Sequence, residues 1–503
     1  MTCLQKDVLL IGDTFVANLL AKKNQDNGIE HMDNTTKQFL PSAAFEDSFF
    51  NALREDFQQI TLSDTIEDLL NNSINPAGLH LSSILEKEGF SYDVINCSLK
   101  HHEKLVSFLK STKYRVIGIS TTFTLDRAYI LNLIDLIKRN APTSKIIVGG
   151  IFIVKLFKLQ KKEILQKELS LLNADYFVFN EIGEQSLIDI LNYEQYSKPD
   201  IQKVLNIAYK TESGFIINSY KTNDIDTSIS NWILSNNTNY AFLRTSISCL
   251  FKCKFCDFPL IADKYKSKSI EVIQQEFKNI EKAGIKYIHF LDDTFNIPKQ
   301  HFYTILNELA IKGYNFEWVA YIRCQHLDNE TVSLMKETGC IGVFLGLESG
   351  NNDVLKNMNK GATVEKYLDG ISFLHKYEIP TYGAFIIGFP GETNKSIEDT
   401  IRFIKQARLQ YYRLFLWFYD LRCPIAHEAV KYSLEGSGYK WKHSTMTSDE
   451  AVEKCKFIWK EVNNSIHCTI PFDYTFYLNR NVNTKDIFNE CLRRFNERNA
   501  SQF

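Results

Sequence analysis

Ser248-Cys249-Leu250-Phe251-Lys252-Cys253-Lys254-Phe255-Cys256 is the stretch on which the fold turns. Its three cysteines stand in the spacing C-x3-C-x2-C on one short loop. Three thiolates so placed can hold three irons of a cubane cluster and leave the fourth iron open to a bidentate ligand. The rival readings are a zinc site or a chance grouping. A structural zinc site wants four ligands, and neither a second Cys-x-x-Cys nor a His pair lies near. The chain has eleven cysteines, and those outside the loop are scattered, as buried small apolar side chains are. An odd count without paired spacing fits reduced thiols in the cytoplasm better than a secreted disulfide framework.

Working outward, 240–246 reads as a strand running directly into the loop. Further strand patterns fall at 287–291, 317–322, 342–347, 382–388 and 413–419, with helical spacing between them at 270–283 and 364–377. This alternation predicts a partial (β/α)6 barrel, with chemistry at the carboxyl ends of its strands. Residues 426–503 change character. They are rich in aromatics, and Thr447-x-x-Glu450 predicts a capping box opening a helix through Val462. A small, mainly helical C-terminal domain is expected there.

C-x3-C-x-aromatic-C after a strand, opening a partial barrel, resembles the signature of the radical S-adenosylmethionine (SAM) superfamily. The resemblance implies that Cys249, Cys253 and Cys256 hold a [4Fe–4S] cluster whose free iron is chelated by SAM. It also implies SAM cleavage to methionine and a 5′-deoxyadenosyl radical, with Phe255 near the adenine. Leu291-Asp292-Asp293-Thr294-Phe295 stands where the superfamily often reads Gly-Gly-Glu. The pattern departs there, so Asp292 or Asp293 must take the SAM amino group. Arg323 at the third strand end is implied as partner of the SAM carboxylate, since guanidinium and carboxylate geometries match. Glu348 is implied to contact ribose or amino group, and Gly388, in Gly388-Phe389-Pro390-Gly391-Glu392, to let backbone approach adenine. Plainer roles stay open: a helix cap for Asp292–Asp293, a scaffold pair of Arg323 with Glu348, and a mere turn at Gly388.

The first two hundred residues alternate in the same way. Strands are predicted at 92–95, 114–121 and 145–150, and helices at 79–89 and 126–140. That is the pattern of a doubly wound parallel sheet. Residues 22–75 are polar and expected to decorate its edge, and 211–236 reads as a linker. An α/β sheet ahead of the barrel resembles the cobalamin-binding domain of the superfamily's B12-dependent branch. The resemblance rests on Pro76-Ala77-Gly78-Leu79, Gly118-Ile119-Ser120-Thr121-Thr122, Ile146-Ile147-Val148-Gly149-Gly150 and the run from Asp175 to Glu184. Ser120, Thr121, Thr122, Gly149 and Gly150 are the implied cobalamin contacts. The Asp-x-His-x-x-Gly motif of histidine-ligated cobalamin is missing, and His80, His101 and His102 read as surface residues. Four units are expected: 1–215 (cobalamin-binding), 216–238 (linker), 239–425 (barrel) and 426–503.

A formal net charge of −2 and 44% hydrophobic residues describe an ordinary globular chain. Neither a nucleic-acid footprint nor a membrane span is expected. With both cofactors the resemblance implies methylation of an unactivated carbon or phosphorus centre, in a small metabolite or peptide. The stretch Gly436 to Met446 resembles the phosphinothricin P-methylase group. An external electron donor such as flavodoxin or ferredoxin is implied. The alternatives are rearrangement, cyclisation or oxidation without methyl transfer, and a non-catalytic iron–sulfur or zinc module.

Overall fold

The computed structural model describes residues 4–12, 76–96, 98, 101–122, 127–227, 229–235, 240–262 and 264–467. The segments 22–75 and 468–503, with their expected roles, lie outside these. The N-terminal sheet takes β1 (Leu4–Ile11), β2 (Tyr92–Ile95), β3 (Thr112–Ser120), β4 (Lys145–Gly149), β5 (Tyr176–Val178), β6 (Ile207–Thr211) and β7 (Gly214–Ile217) in the order β2-β1-β3-β4-β5-β6-β7. The first five are parallel, and β6 and β7 close one edge as antiparallel strands. Val116, Ile117 and Ile119 are buried, as a β-branched strand covered on both faces requires. The helix Arg127–Asn140 buries Ile130, Leu133, Ile134 and Ile137, one stripe at helical spacing. β7 falls inside the polar stretch expected to be linker. An edge strand keeps one face wet, so its sequence is not distinguished from a loop.

The connector that follows is pinned to the barrel. Trp232 is buried in the barrel core, and its indole N–H donates to Glu276 Oε2 at 3.1 Å. β8 (Tyr240–Leu243) starts the second sheet. A two-residue pair, β9 (Ser246–Ile247) with β10 (Lys266–Ser267), flanks the cysteine loop. β11 (Tyr287–Phe290), β12 (Glu317–Ile322), β13 (Cys340–Glu348), β14 (Thr381–Ile387) and β15 (Tyr411–Leu416) extend β8 in parallel. Strand alternation sorts two faces. Ile288, Phe290, Trp318, Val343, Leu345 and Phe385 join the core under the outer helices. Phe242, His289, Tyr321, Phe344, Tyr382 and Tyr411 meet on the opposite face, the barrel interior, with neighbouring ring centroids 5.2–6.3 Å apart.

Past β15 come a small antiparallel sheet of β16 (Glu435–Ser437), β17 (Lys440–His443) and β18 (Met446–Thr447), and the helix Ser448–Glu461. The capping box is present: Thr447 Oγ1 accepts from the Glu450 N–H at 3.2 Å, and Glu450 Oε2 accepts from the Thr447 N–H at 2.7 Å. Trp441, Met446, Ala451, Cys455 and Ile458 share the barrel's core. β19 (Ile466–His467) lies parallel beside β15 as a seventh strand of the barrel sheet. No helix among the described residues is long and apolar enough to cross a membrane.

Candidate active site at the strand ends

The cysteine loop leaves β9 through Ser248, whose φ of 77° turns the chain sharply. Three contacts lace the loop down. The Lys254 N–H donates to the Met358 carbonyl at 2.9 Å, and the Ile425 N–H to the Lys254 carbonyl at 3.1 Å. Asn359 donates to the Lys252 carbonyl at 2.8 Å. Cys253 is buried, Cys249 and Cys256 half-buried, and all three are free thiols. Burial first, with charge on Asp257, Cys253 and Cys249 behind it, pushes the Cys256 thiol up to about 12. A thiol shifted as Cys256 is ionises only against a positive partner, and three cysteines on one loop form a donor set that fits an iron cluster. Among the described residues no three His, Cys, Asp or Glu side chains converge as a single ion would require.

The two aspartates after β11 divide their work. Asp292 is buried and accepts from the Thr245 N–H at 3.2 Å, the Thr245 hydroxyl at 2.8 Å and the Ser246 hydroxyl. It braces the β8 exit. Asp293 keeps contact with solvent. Enclosure by protein pushes its carboxyl up to about 6, against the pull of Arg244 and with the push of Asp292. Neither caps the next helix, Lys299–Lys312, whose N-cap is Pro298.

Arg323 and Glu348 do not pair with each other. Glu348, at a φ of 63°, accepts from Lys360 Nζ at 2.8 Å, and both side chains are buried. The pair folds over Gly346, where a Cβ would lie 2.8 Å from Glu348 Oε1. Arg323 instead donates to Cys253 Sγ at 3.1 Å and to the Lys360 carbonyl at 2.7 Å. Nothing in the sequence singles out Lys360, because a lysine in the polar turn Met358-Asn359-Lys360-Gly361 reads like any surface lysine. Phe255 meets Phe389 edge to face at 6.4 Å, with the Lys360 ammonium 5.8 Å from its ring. Its carbonyl accepts from the buried Cys423 thiol at 3.3 Å.

Gly388 is held by contacts within the protein. Its N–H donates to Glu392 Oε2 at 2.6 Å, and its carbonyl lies 3.0 Å from His443 Nε2. A Cβ there would lie 2.4 Å from Trp441. The glycine is required by packing, and its own backbone groups are already engaged. Burial pushes the Glu392 carboxyl up to about 8.

In the N-terminal domain, Thr121 sends both its N–H and its hydroxyl to the Gly149 carbonyl, each at 2.7 Å. Gly150, at a φ of 99°, comes so close that a Cβ would lie 2.7 Å from the Thr122 nitrogen. These three residues close the β3 and β4 ends together. Ser120 and Thr122 face outward, their hydroxyls 3.2 Å apart. His80 is not a surface residue: it bridges Glu184 at 2.6 Å and Ser230 at 3.2 Å. The helix Ile151–Leu159 starts at Gly150, and its Lys155 pairs with Asp257 at 2.6 Å, one residue past Cys256. The helix that follows β4 is thereby joined to the end of the cysteine loop.

Comparison with known proteins agrees with this geometry. The radical SAM superfamily model matches residues 243–404, and the B12 binding domain model matches residues 71–184. An uncharacterised methyltransferase of Pyrococcus horikoshii is 28% identical over 50% of this chain and 54% of that protein. The bacteriochlorophyllide d C-12(1)-methyltransferase of Chlorobaculum tepidum is 32% identical over 32% of this chain and 37% of that protein. The chain thus spans about half the length, or less, of these curated relatives. The solved structure of the radical SAM methyltransferase TsrM from Kitasatospora setae, with cobalamin and a [4Fe–4S] cluster bound, has a TM-score of 0.65 at 14% identity. It covers 85% of this chain and 97% of that one. The cobalamin-dependent SAM radical enzyme OxsB has a TM-score of 0.57 at 17% identity, covering 96% of this chain and 61% of that one. Sequence motif, strand-end geometry and these likenesses converge on one organisation: a radical SAM domain, matched over residues 243–404, with a B12-binding domain, matched over residues 71–184, ahead of it.

Proposed function

We propose that this chain is a cobalamin-dependent radical SAM methyltransferase acting on an unactivated carbon or phosphorus centre of a small metabolite or peptide. When bound, the cluster, SAM and cobalamin supply the electron, the hydrogen-abstracting radical and the methyl group. The chain's part is to bind, orient and exclude water. Cys249, Cys253 and Cys256 hold the cluster, and Asp293 accepts hydrogen bonds from the SAM ammonium. Phe255 offers an apolar edge to the adenine, and the aromatic barrel interior shields the reacting centre. Ser120 and Thr122 present hydroxyls to the cobalamin, within a cofactor unit of residues 1–215 facing a barrel of residues 239–425. A flavodoxin or ferredoxin of the cytoplasm supplies electrons.

The observation that carries this reading is the Lys155–Asp257 contact, which ties the B12-domain strand ends to the residue after Cys256. Two cofactor sites so joined suit one reaction that uses both. The test is iron and cobalt per chain after oxygen-free purification from cobalamin-supplied cells. About four irons with stoichiometric cobalt support the reading. Iron without cobalt removes the methyl-transfer part, and zinc in place of iron removes the whole.

A further inference from the structure

Arg323, assigned by family resemblance to the SAM carboxylate, is turned elsewhere. It is buried, and both terminal nitrogens and one face of its guanidinium have partners. One terminal nitrogen donates to Cys253 Sγ at 3.1 Å and the other to the Lys360 carbonyl at 2.7 Å. Its guanidinium carbon lies 3.5 Å from the centroid of the Phe251 ring. Asn296, also buried, clamps the backbone on both sides. It accepts from the Arg323 N–H at 3.0 Å and donates to the Arg323 carbonyl at 3.0 Å. Two of these partners, Phe251 and Cys253, belong to the cysteine loop itself. Such mounting fixes a guanidinium on one sulfur and leaves it little freedom to follow a ligand.

We propose that Arg323 is a positioning residue for the cluster rather than a ligand of SAM: its hydrogen bond holds the Cys253 sulfur and raises the reduction potential. The inference rests on the cluster reading above. Reduction by an external low-potential one-electron donor adds one negative charge, shared with the ligating sulfurs. A cationic N–H donor on one of those sulfurs stabilises the more negative state, and hydrogen bonds to sulfur are among the factors that set cluster potentials. Burial keeps that charge from being screened by salt.

The test compares wild type, Arg323→Gln and Arg323→Lys as holoproteins. Iron content is measured first, then the midpoint by EPR-monitored titration, then SAM binding. Iron-replete R323Q is expected to be about tenfold less reduced at the wild-type midpoint, a shift of about 59 mV for one electron. R323K keeps the charge and recovers part of it. An unchanged midpoint in iron-replete R323Q overturns the proposal, and tenfold weaker SAM binding beside it restores the carboxylate role. Should R323Q lose its iron, Phe251→Leu removes only the ring under the guanidinium. It is expected to lower the midpoint by less, and an unchanged midpoint in iron-replete F251L overturns the proposal. Wild type without iron would instead defeat the cluster reading itself.

Discussion

Lys360→Met tests the buried pair that closes the fourth strand end. The Lys360 and Glu348 side chains are 6% and 11% exposed and lie 2.8 Å apart. Methionine keeps the length of the stem and removes the ammonium, so Glu348 is left charged and unanswered in a low-dielectric site. Removing one partner of a buried pair costs about 3–5 kcal/mol, whereas removing both charges is often close to neutral. At about 2–4 °C per kcal/mol for a unit of this size, the barrel's melting temperature falls by about 6–20 °C. Calorimetry on K360M, E348Q and the double variant measures this. The double variant is expected to recover more than half of the loss. A K360M protein within about 1 kcal/mol of wild type, or a double variant no better than the single, would refute the reasoning.

Gly388→Ala combines a left-handed backbone with a Cβ 2.4 Å from Trp441, at about 1–2 kcal/mol for the conformation and about 1–3 kcal/mol for overpacking. Denaturant unfolding of the cofactor-free protein is expected to show that loss, while unchanged stability with lost SAM binding would favour an adenine contact. Asp293, raised to about 6, destabilises the free fold as it ionises, so its contribution is lost as pH rises from about 4 through that value. A bound ammonium reverses the balance, so SAM affinity should rise between pH 5.5 and 7.5 in wild type and stay flat in D293N, by equilibrium binding. Lys155→Met removes a half-buried pair worth about 1 kcal/mol, and limited proteolysis of the 218–239 connector should speed up about fivefold, with an unchanged rate counting against the domain contact.

The cysteine loop and the strand ends were legible because each is local. A C-x3-C-x2-C spacing and a run such as Gly342–Leu347 announce themselves within ten residues. What escaped depends on contacts between distant parts of the chain. Lys360 acquires meaning only when Glu348, twelve residues upstream, folds back over Gly346. Arg323 is legible as a strand-end residue, but its partner is a sulfur seventy residues away. At Gly388 the sequence does not reveal that Trp441 from β17 stands where a Cβ would be. The β6–β7 edge was hidden by the polarity that a half-wet strand shares with a loop.

The ion pair at the domain boundary has a consequence for dissecting this protein into parts. Lys155 answers Asp257 directly and also helps hold the Asp420 carboxyl below its ordinary value, after the closer effect of Arg422. A barrel produced alone would keep both aspartates and lose that cation, leaving excess negative charge one residue from Cys256. Its cluster would be harder to reduce even if every iron were in place. Sluggish activity in such a fragment would therefore report a missing charge as much as a missing cofactor, and the two halves are less separable than their independent sheets imply.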